Sequence, residues 1–129
     1  MLSQTAQYAL RAVLAIAAGR GEAVGAGVLA QRLGLPQNYL SKTLHQLARA
    51  GLLESTRGKS GGFRLARPAE RITLRDIVGL FDDISARRTC LLGNPQCSDV
   101  NPCPLHHKWK AASERNATFF RETTIGELL

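Results

Sequence analysis

The chain has 129 residues, 44% of them hydrophobic, enough for one modest core and too few for a multidomain enzyme. Seventeen Lys and Arg against ten Asp and Glu give a formal net charge of +7, the electrostatic footprint of a protein that meets polyanions. No apolar run is long enough to span a membrane, and the first twenty residues lack a basic lead and a cleavage signal, so a cytoplasmic protein is expected.

From Gln4 to Ala18, the residues Ala6, Ala9, Leu10, Val13, Ile16 and Ala17 recur at three- and four-residue intervals, which predicts an amphipathic helix stopped by Gly19 and Gly21. A shorter periodic piece with Val28, Leu29 and Leu33 ends at Gly34. Pro36 then opens a segment through Asn38, Tyr39, Leu40, Leu44 and Leu47 that stops at Gly51. Two short helices joined by a tight Gly34-Leu35-Pro36 link form a helix-turn-helix outline. Two strand-like runs follow, 52–56 and 63–67, around Arg57-Gly58-Lys59-Ser60-Gly61-Gly62. Thr73 and Asp76 have capping-box spacing and predict a helix through Ile77, Val78, Leu80, Phe81 and Ile84. Residues 85–103 lose all periodicity and hold every cysteine. After Pro104 a longer helix is expected through Leu105, Trp109, Ala112, Phe119 and Phe120 to about Thr123.

The charge is divided as sharply as the pattern. Residues 1–75 carry 11 basic and 3 acidic side chains, a balance of +8, whereas residues 76–129 carry 6 and 7, a balance of −1. A helix pair followed by a basic hairpin is the winged-helix plan, in which the second helix enters a major groove and the wing reaches backbone or minor groove. Gln37 and Asn38 offer amides suited to adenine edges, Lys42 can reach guanine acceptors or phosphate, and Tyr39 and Ser41 lie on the same turns. At the wing, Arg57, Gly58, Lys59 and Ser60 put long cations beside flexible glycine, as insertion into a narrow minor groove requires. His45 reads as a solvent-facing helix residue. Gly58-Lys59-Ser60 echoes the end of a phosphate-binding loop, but Leu53 stands where that loop needs glycine, so ATP binding is not supported. Asn116-Ala117-Thr118 matches a glycosylation sequon by chance, in mid-helix.

Cys90, Cys97 and Cys103 fall within 14 residues and none lies elsewhere. An odd thiol set in one Gly-, Asn- and Pro-rich segment suits thiolate chemistry better than a disulfide framework. Together with an imidazole from His106, or its neighbour His107, it suits zinc, copper(I) or an iron-sulfur cluster. The gaps of six and five residues are wider than those of zinc knuckles and favour something larger than one ion. A thiol switch or a structural zinc is the alternative. An enzyme with a cysteine nucleophile beside His106 or His107 would leave the basic half unexplained, and an adaptor that ignores nucleic acid would do the same.

Tyr8-Ala9-Leu10, Asn38-Tyr39-Leu40, Gly51-Leu52-Leu53, Arg57-Gly58, Gly61-Gly62-Phe63 and Cys103-Pro104-Leu105-His106 with Trp109 resemble the Rrf family of winged-helix regulators over nearly the whole chain. The resemblance implies a mainly α fold with a small β-hairpin wing and a long C-terminal dimerisation helix. It divides one compact unit into a DNA-binding region, 1–75, and dimerisation helices with a cluster-binding loop, 76–129 and 90–106. It further implies a homodimer packed through residues 104–123, a near-palindromic DNA operator, and an iron-sulfur cluster (2Fe-2S or 4Fe-4S) on Cys90, Cys97, Cys103 and His106. The reading is of a regulator, more a repressor than an activator, that senses redox state, nitric oxide or cluster supply. Two features depart from relatives: Gln7 stands where nitric-oxide sensors carry a carboxylate ligand, and Ser41 where iron-sulfur regulators carry an acidic residue that tunes DNA choice.

Overall fold

A computed structural model describes residues 2–84 and 90–129. The elements in order are α1 (Gln4–Ala18), α2 (Ala26–Leu33), α3 (Gln37–Arg49), β1 (Leu53–Thr56), β2 (Gly62–Leu65), α4 (Leu74–Val78) and α5 (His106–Glu122), with short 3-10 turns at Ala69–Arg71 and Gly126–Leu128. Helix α1 has the predicted limits. Ser3 caps it by accepting the Ala6 N–H at 3.1 Å, and its buried face of Ala6, Ala9, Ala12, Val13, Ile16 and Ala17 contains four alanines. Those small side chains let α1 lie close against both α3 and α4.

Gly34 ends α2 in the left-handed conformation at φ 68°, which a side chain would resist. The Leu35 N–H then bonds the Ala30 carbonyl at 2.9 Å, turning the chain sharply into α3. Leu40, Leu44 and Leu47 of α3 are fully buried with Leu29, Leu52, Leu53, Ile72 and Ile77. Hydrophobic burial of this cluster holds the helix pair to the hairpin.

The hairpin pairs Leu53 with Leu65 and Thr56 with Gly62 in antiparallel register. It gains a third rung that the sequence did not signal. Val24, just ahead of α2, exchanges both backbone hydrogen bonds with Phe63, at 2.9 and 2.8 Å, so the inner edge of the wing is covered.

The capping box of Thr73 and Asp76 forms as predicted. Helix α4, however, ends at Val78 and does not continue through Ile84. Gly79 weakens the helix there, and the Leu80 and Phe81 N–H groups bond the carbonyls of Ile77 and Val78 three residues back, tightening the chain into turns. Of the aperiodic stretch expected from residue 85, the part up to 89 lies outside the described residues.

Helix α5 starts at His106, two residues after the proline expected to open it. Its far end is pinned: Leu74 N–H bonds the Thr123 carbonyl at 2.9 Å, Ile125 N–H bonds the Ile72 carbonyl at 2.8 Å, and the Ile125 side chain is fully buried. The helix therefore runs from the cysteine segment to the foot of α4. Phe120 packs on the core, while Phe119 is 52% exposed, Leu105 is 38% exposed, and Trp109 and Ala112 are half-buried. No helix among the described residues is long and apolar enough to cross a membrane.

Candidate functional site

The first candidate surface is the outer side of α3 with the wing. Asn38, Lys42, Arg57, Gly58, Lys59 and Ser60 are exposed and Ser41 is half-buried. Among the described residues, Lys42, Arg57 and Lys59 enter no ion pair, whereas Arg64 is bound by Glu54 across the hairpin and Arg67 by Asp76 at 3.1 Å. The wing tip thus keeps its cations available to an external anion. The turn that carries them depends on Gly61, where an added Cβ would sit 2.4 Å from the Thr56 carbonyl oxygen.

Two predicted readers have partners within the fold. The Gln37 amide lies over Gly27 of α2, 3.4–3.6 Å from where a Cβ there would stand. Tyr39 stands edge-on to Tyr8 of α1 and hydrogen-bonds Thr5 through its hydroxyl. His45 is exposed, as predicted, and sets its ring edge against Phe63 of the wing at 5.3 Å.

The second site is the cysteine segment ahead of α5. All three thiols are free, and the Sγ atoms of Cys90, Cys97 and Cys103 lie within 4.8 Å of one another. The Cys90 and Cys103 Sγ atoms are 3.6 Å apart. Wide gaps in sequence have not become wide gaps in space. The intervening residues fold out as turns, with Gly93 N–H on the Cys90 carbonyl at 3.0 Å and Asn101 N–H on Ser98 Oγ at 3.1 Å. Sulfurs at the corners of a tetrahedron around one ion with bonds of about 2.3 Å stand roughly 3.8 Å apart. The Cys90–Cys103 separation is on that scale, so the three sulfurs stand close enough to share one centre.

His106 is the buried histidine of the pair, 7% exposed, while His107 is exposed. Its Nδ1 lies 3.3 Å from Cys97 Sγ and its Nε2 lies 2.7 Å from Asp99 Oδ1. Lys110, one turn along α5, bonds both Asp99 oxygens at 3.1 Å. The Cys103 N–H donates to Cys97 Sγ at 3.3 Å.

These contacts set the charges. Hydrogen bonds from His106 and then Lys110 hold the Asp99 carboxyl down to about 2. The Asn94 N–H draws the Cys90 thiol below its ordinary value. For Cys97 the Cys103 N–H favours the thiolate, but burial and the two adjoining thiols outweigh it and push the Cys97 thiol up. Three soft sulfur donors with an adjoining imidazole nitrogen fit a thiophilic metal ion or a metal-sulfur centre. Sequence reasoning found these donors but missed Asp99 and Lys110, whose only signal was a helical spacing of four between His106 and Lys110.

A helix-turn-helix joined to a basic two-stranded wing, with a thiol cluster at the head of a separate helix, defines a winged-helix transcriptional regulator. The chain belongs to the Rrf2 family, described as an iron-dependent transcriptional regulator, whose model matches residues 2–129. Members are DNA-binding regulators and not enzymes. It is 37% identical over 131 residues to a candidate HTH-type transcriptional regulator of Aquifex aeolicus (strain VF5), covering 100% of this chain and 91% of that protein. It is 30% identical to the HTH-type transcriptional regulator IscR of Vibrio atlanticus (strain LGP32), over 99% of this chain and 74% of that one. Its fold superposes on CymR, the global cysteine regulator of B. subtilis, with a TM-score of 0.85 at 23% identity, covering 99% of this chain and 95% of that one.

Proposed function

We propose that the protein is a cytoplasmic, homodimeric DNA-binding repressor that senses redox state, nitric oxide or iron-sulfur supply through a cluster held by Cys90, Cys97, Cys103 and His106. The observation that carries the reading is the convergence of three free thiols within 4.8 Å, with the His106 Nδ1 3.3 Å from one of them, at the head of α5. A bound iron centre would supply a group whose oxidation or nitrosylation changes its ligand demand. The protein's own contribution is mechanical. The far end of α5 is fixed to α4 through Thr123 and Ile125, so a change in the loop 90–106 acts on the near end of a helix anchored at the other.

The half-exposed stripe of Leu105, Trp109, Ala112 and Phe119 supports pairing of α5 with the same helix of a second chain. Two reading heads would then lie in successive major grooves through residues 37–45, with Arg57 of each wing in a minor groove, on a near-palindromic operator. The region 1–75 reads DNA, and 76–129 senses and dimerises.

Anaerobic purification followed by visible absorbance and analysis of iron, sulfide and zinc tests the reading. Iron and sulfide with visible colour, both lost in Cys97→Ala while the fold persists, are the expected result. A colourless zinc protein refutes the cluster. The second reading, a thiol switch or structural zinc, is favoured by one distance: Cys90 and Cys103 Sγ are 3.6 Å apart, so after a small approach a two-electron oxidant that takes up their two protons and electrons could join them as a disulfide. Thiol titration before and after mild oxidation separates the two forms of it.

A further inference from the structure

We infer that Asp99 is a positioning residue that fixes the tautomer of His106, so that Nδ1 and not Nε2 is the nitrogen presented to the thiol cluster. The inference rests on the reading of the cluster as a metal site only in its second arm below.

The geometry is directional. An ionised carboxylate can only accept hydrogen bonds, and Asp99 Oδ1 lies 2.7 Å from His106 Nε2. When the imidazole is neutral, this contact puts its proton on Nε2 and leaves an unprotonated lone pair on Nδ1. That lone pair faces Cys97 Sγ at 3.3 Å, where it accepts the thiol proton in the metal-free protein and is free to bind a cation in its place. Lys110 also holds the carboxylate, bonding both its oxygens at 3.1 Å. Asp99 itself sits in a turn closed by the Ser98 N–H on the Asn101 carbonyl at 3.2 Å and the Asn101 N–H on Ser98 Oγ at 3.1 Å. His106 and Lys110 are one helical turn apart on α5, so a single loop carboxylate engages both. The chain of contacts runs Lys110, Asp99, His106, Cys97. A carboxylate on the far nitrogen of a ligating imidazole sets ring orientation and raises its basicity, and losing it costs about 10–100-fold in metal affinity.

Two measurements on the full chain test this. In the first, the reduced, metal-free protein is labelled with 15N and the His106 ring is read by long-range NMR correlation. A single Nε2–H form is expected in the wild type, a mixture in Asp99→Asn, and recovery in Asp99→Glu. An Nδ1–H form or an equal mixture in the wild type overturns the inference without any variant having to fold. In the second, Co2+ is titrated anaerobically and followed by its thiolate charge-transfer and visible bands. Asp99→Asn is expected to bind about 10–100-fold more weakly than the wild type, with Lys110→Met intermediate. Equal affinity in wild type and Asp99→Asn overturns the inference. A wild type that binds no Co2+ defeats the metal reading, and the NMR result alone then decides the tautomer.

Discussion

Tyr39 meets Tyr8 edge-to-face, with ring centroids 5.7 Å apart and planes at 89°. The pair ties the first turn of α3 to the N-terminal part of α1, and the Tyr39 hydroxyl adds a bond to Thr5 of the same helix. A residue expected to read bases thus also sets the tilt of the reading helix. Tyr39→Ala should lower stability by about 0.5–1.5 kcal/mol beyond the loss of buried area, and should weaken operator binding without altering its salt dependence. Urea denaturation and binding at several salt concentrations check this. A reduced salt slope with unchanged stability would show that Tyr39 contacts phosphate and does not brace the helix.

Arg57 and Arg64 lie on the same hairpin and differ in what they touch. Arg64 is satisfied by Glu54, whereas Arg57 has no acidic partner among the described residues. Arg57→Ala should weaken DNA binding and reduce the slope of log affinity against log salt by about 1. Arg64→Ala should leave that slope nearly unchanged. Fluorescence anisotropy with an operator duplex from low to moderate salt distinguishes them, and equal slopes for the two variants would remove the wing tip from the interface.

The helices and the thiol set were legible because their signals are local. The period of α1, the Gly34 stop, and the Thr73–Asp76 box each depend on residues within a turn or two of one another. The Val24–Phe63 bridge joins residues 39 positions apart, and burial of Ile125 depends on Ile72. Neither leaves a periodic trace. The choice between His106 and His107 was open in sequence because adjacent helical residues point about 100° apart, and only the position of the loop decides which one faces Cys97. The six- and five-residue gaps between cysteines do not tell how near the sulfurs come, since turns shorten the path between them.

Gly62 gives the non-local constraint a measurable form. Its φ is 144°, and an added Cβ would stand 2.4 and 2.5 Å from the backbone carbon and oxygen of Val24. Gly62→Ala should therefore break the bridge that seats the wing, destabilising the protein by more than about 1 kcal/mol. Gly21 has φ 91° but nothing within 4 Å of its virtual Cβ, so Gly21→Ala should cost only backbone strain. Chemical denaturation midpoints of the two variants check the contrast. A Gly62→Ala protein no less stable than Gly21→Ala would show that the wing moves away from Val24 without penalty.

Asp82 joins the start of α1 to the turn after α4. It accepts the Ser3 N–H at 2.7 Å, and hydrogen bonds from Ser3 hold its carboxyl below the ordinary value. Because the folded carboxyl is the stronger acid, the contact stabilises the protein above the unfolded value of about 3.9 and is lost as pH falls through the folded one. The group faces solvent, so water screens the effect and the gain stays under about 1 kcal/mol. Asp82→Asn should be slightly less stable than the wild type at pH 7, by an amount that holds above the unfolded value and is lost as pH falls through the folded one. Thermal unfolding of both proteins across this range measures it. A stability difference that persists undiminished in acid would assign the effect to packing, with the carboxylate charge playing no part.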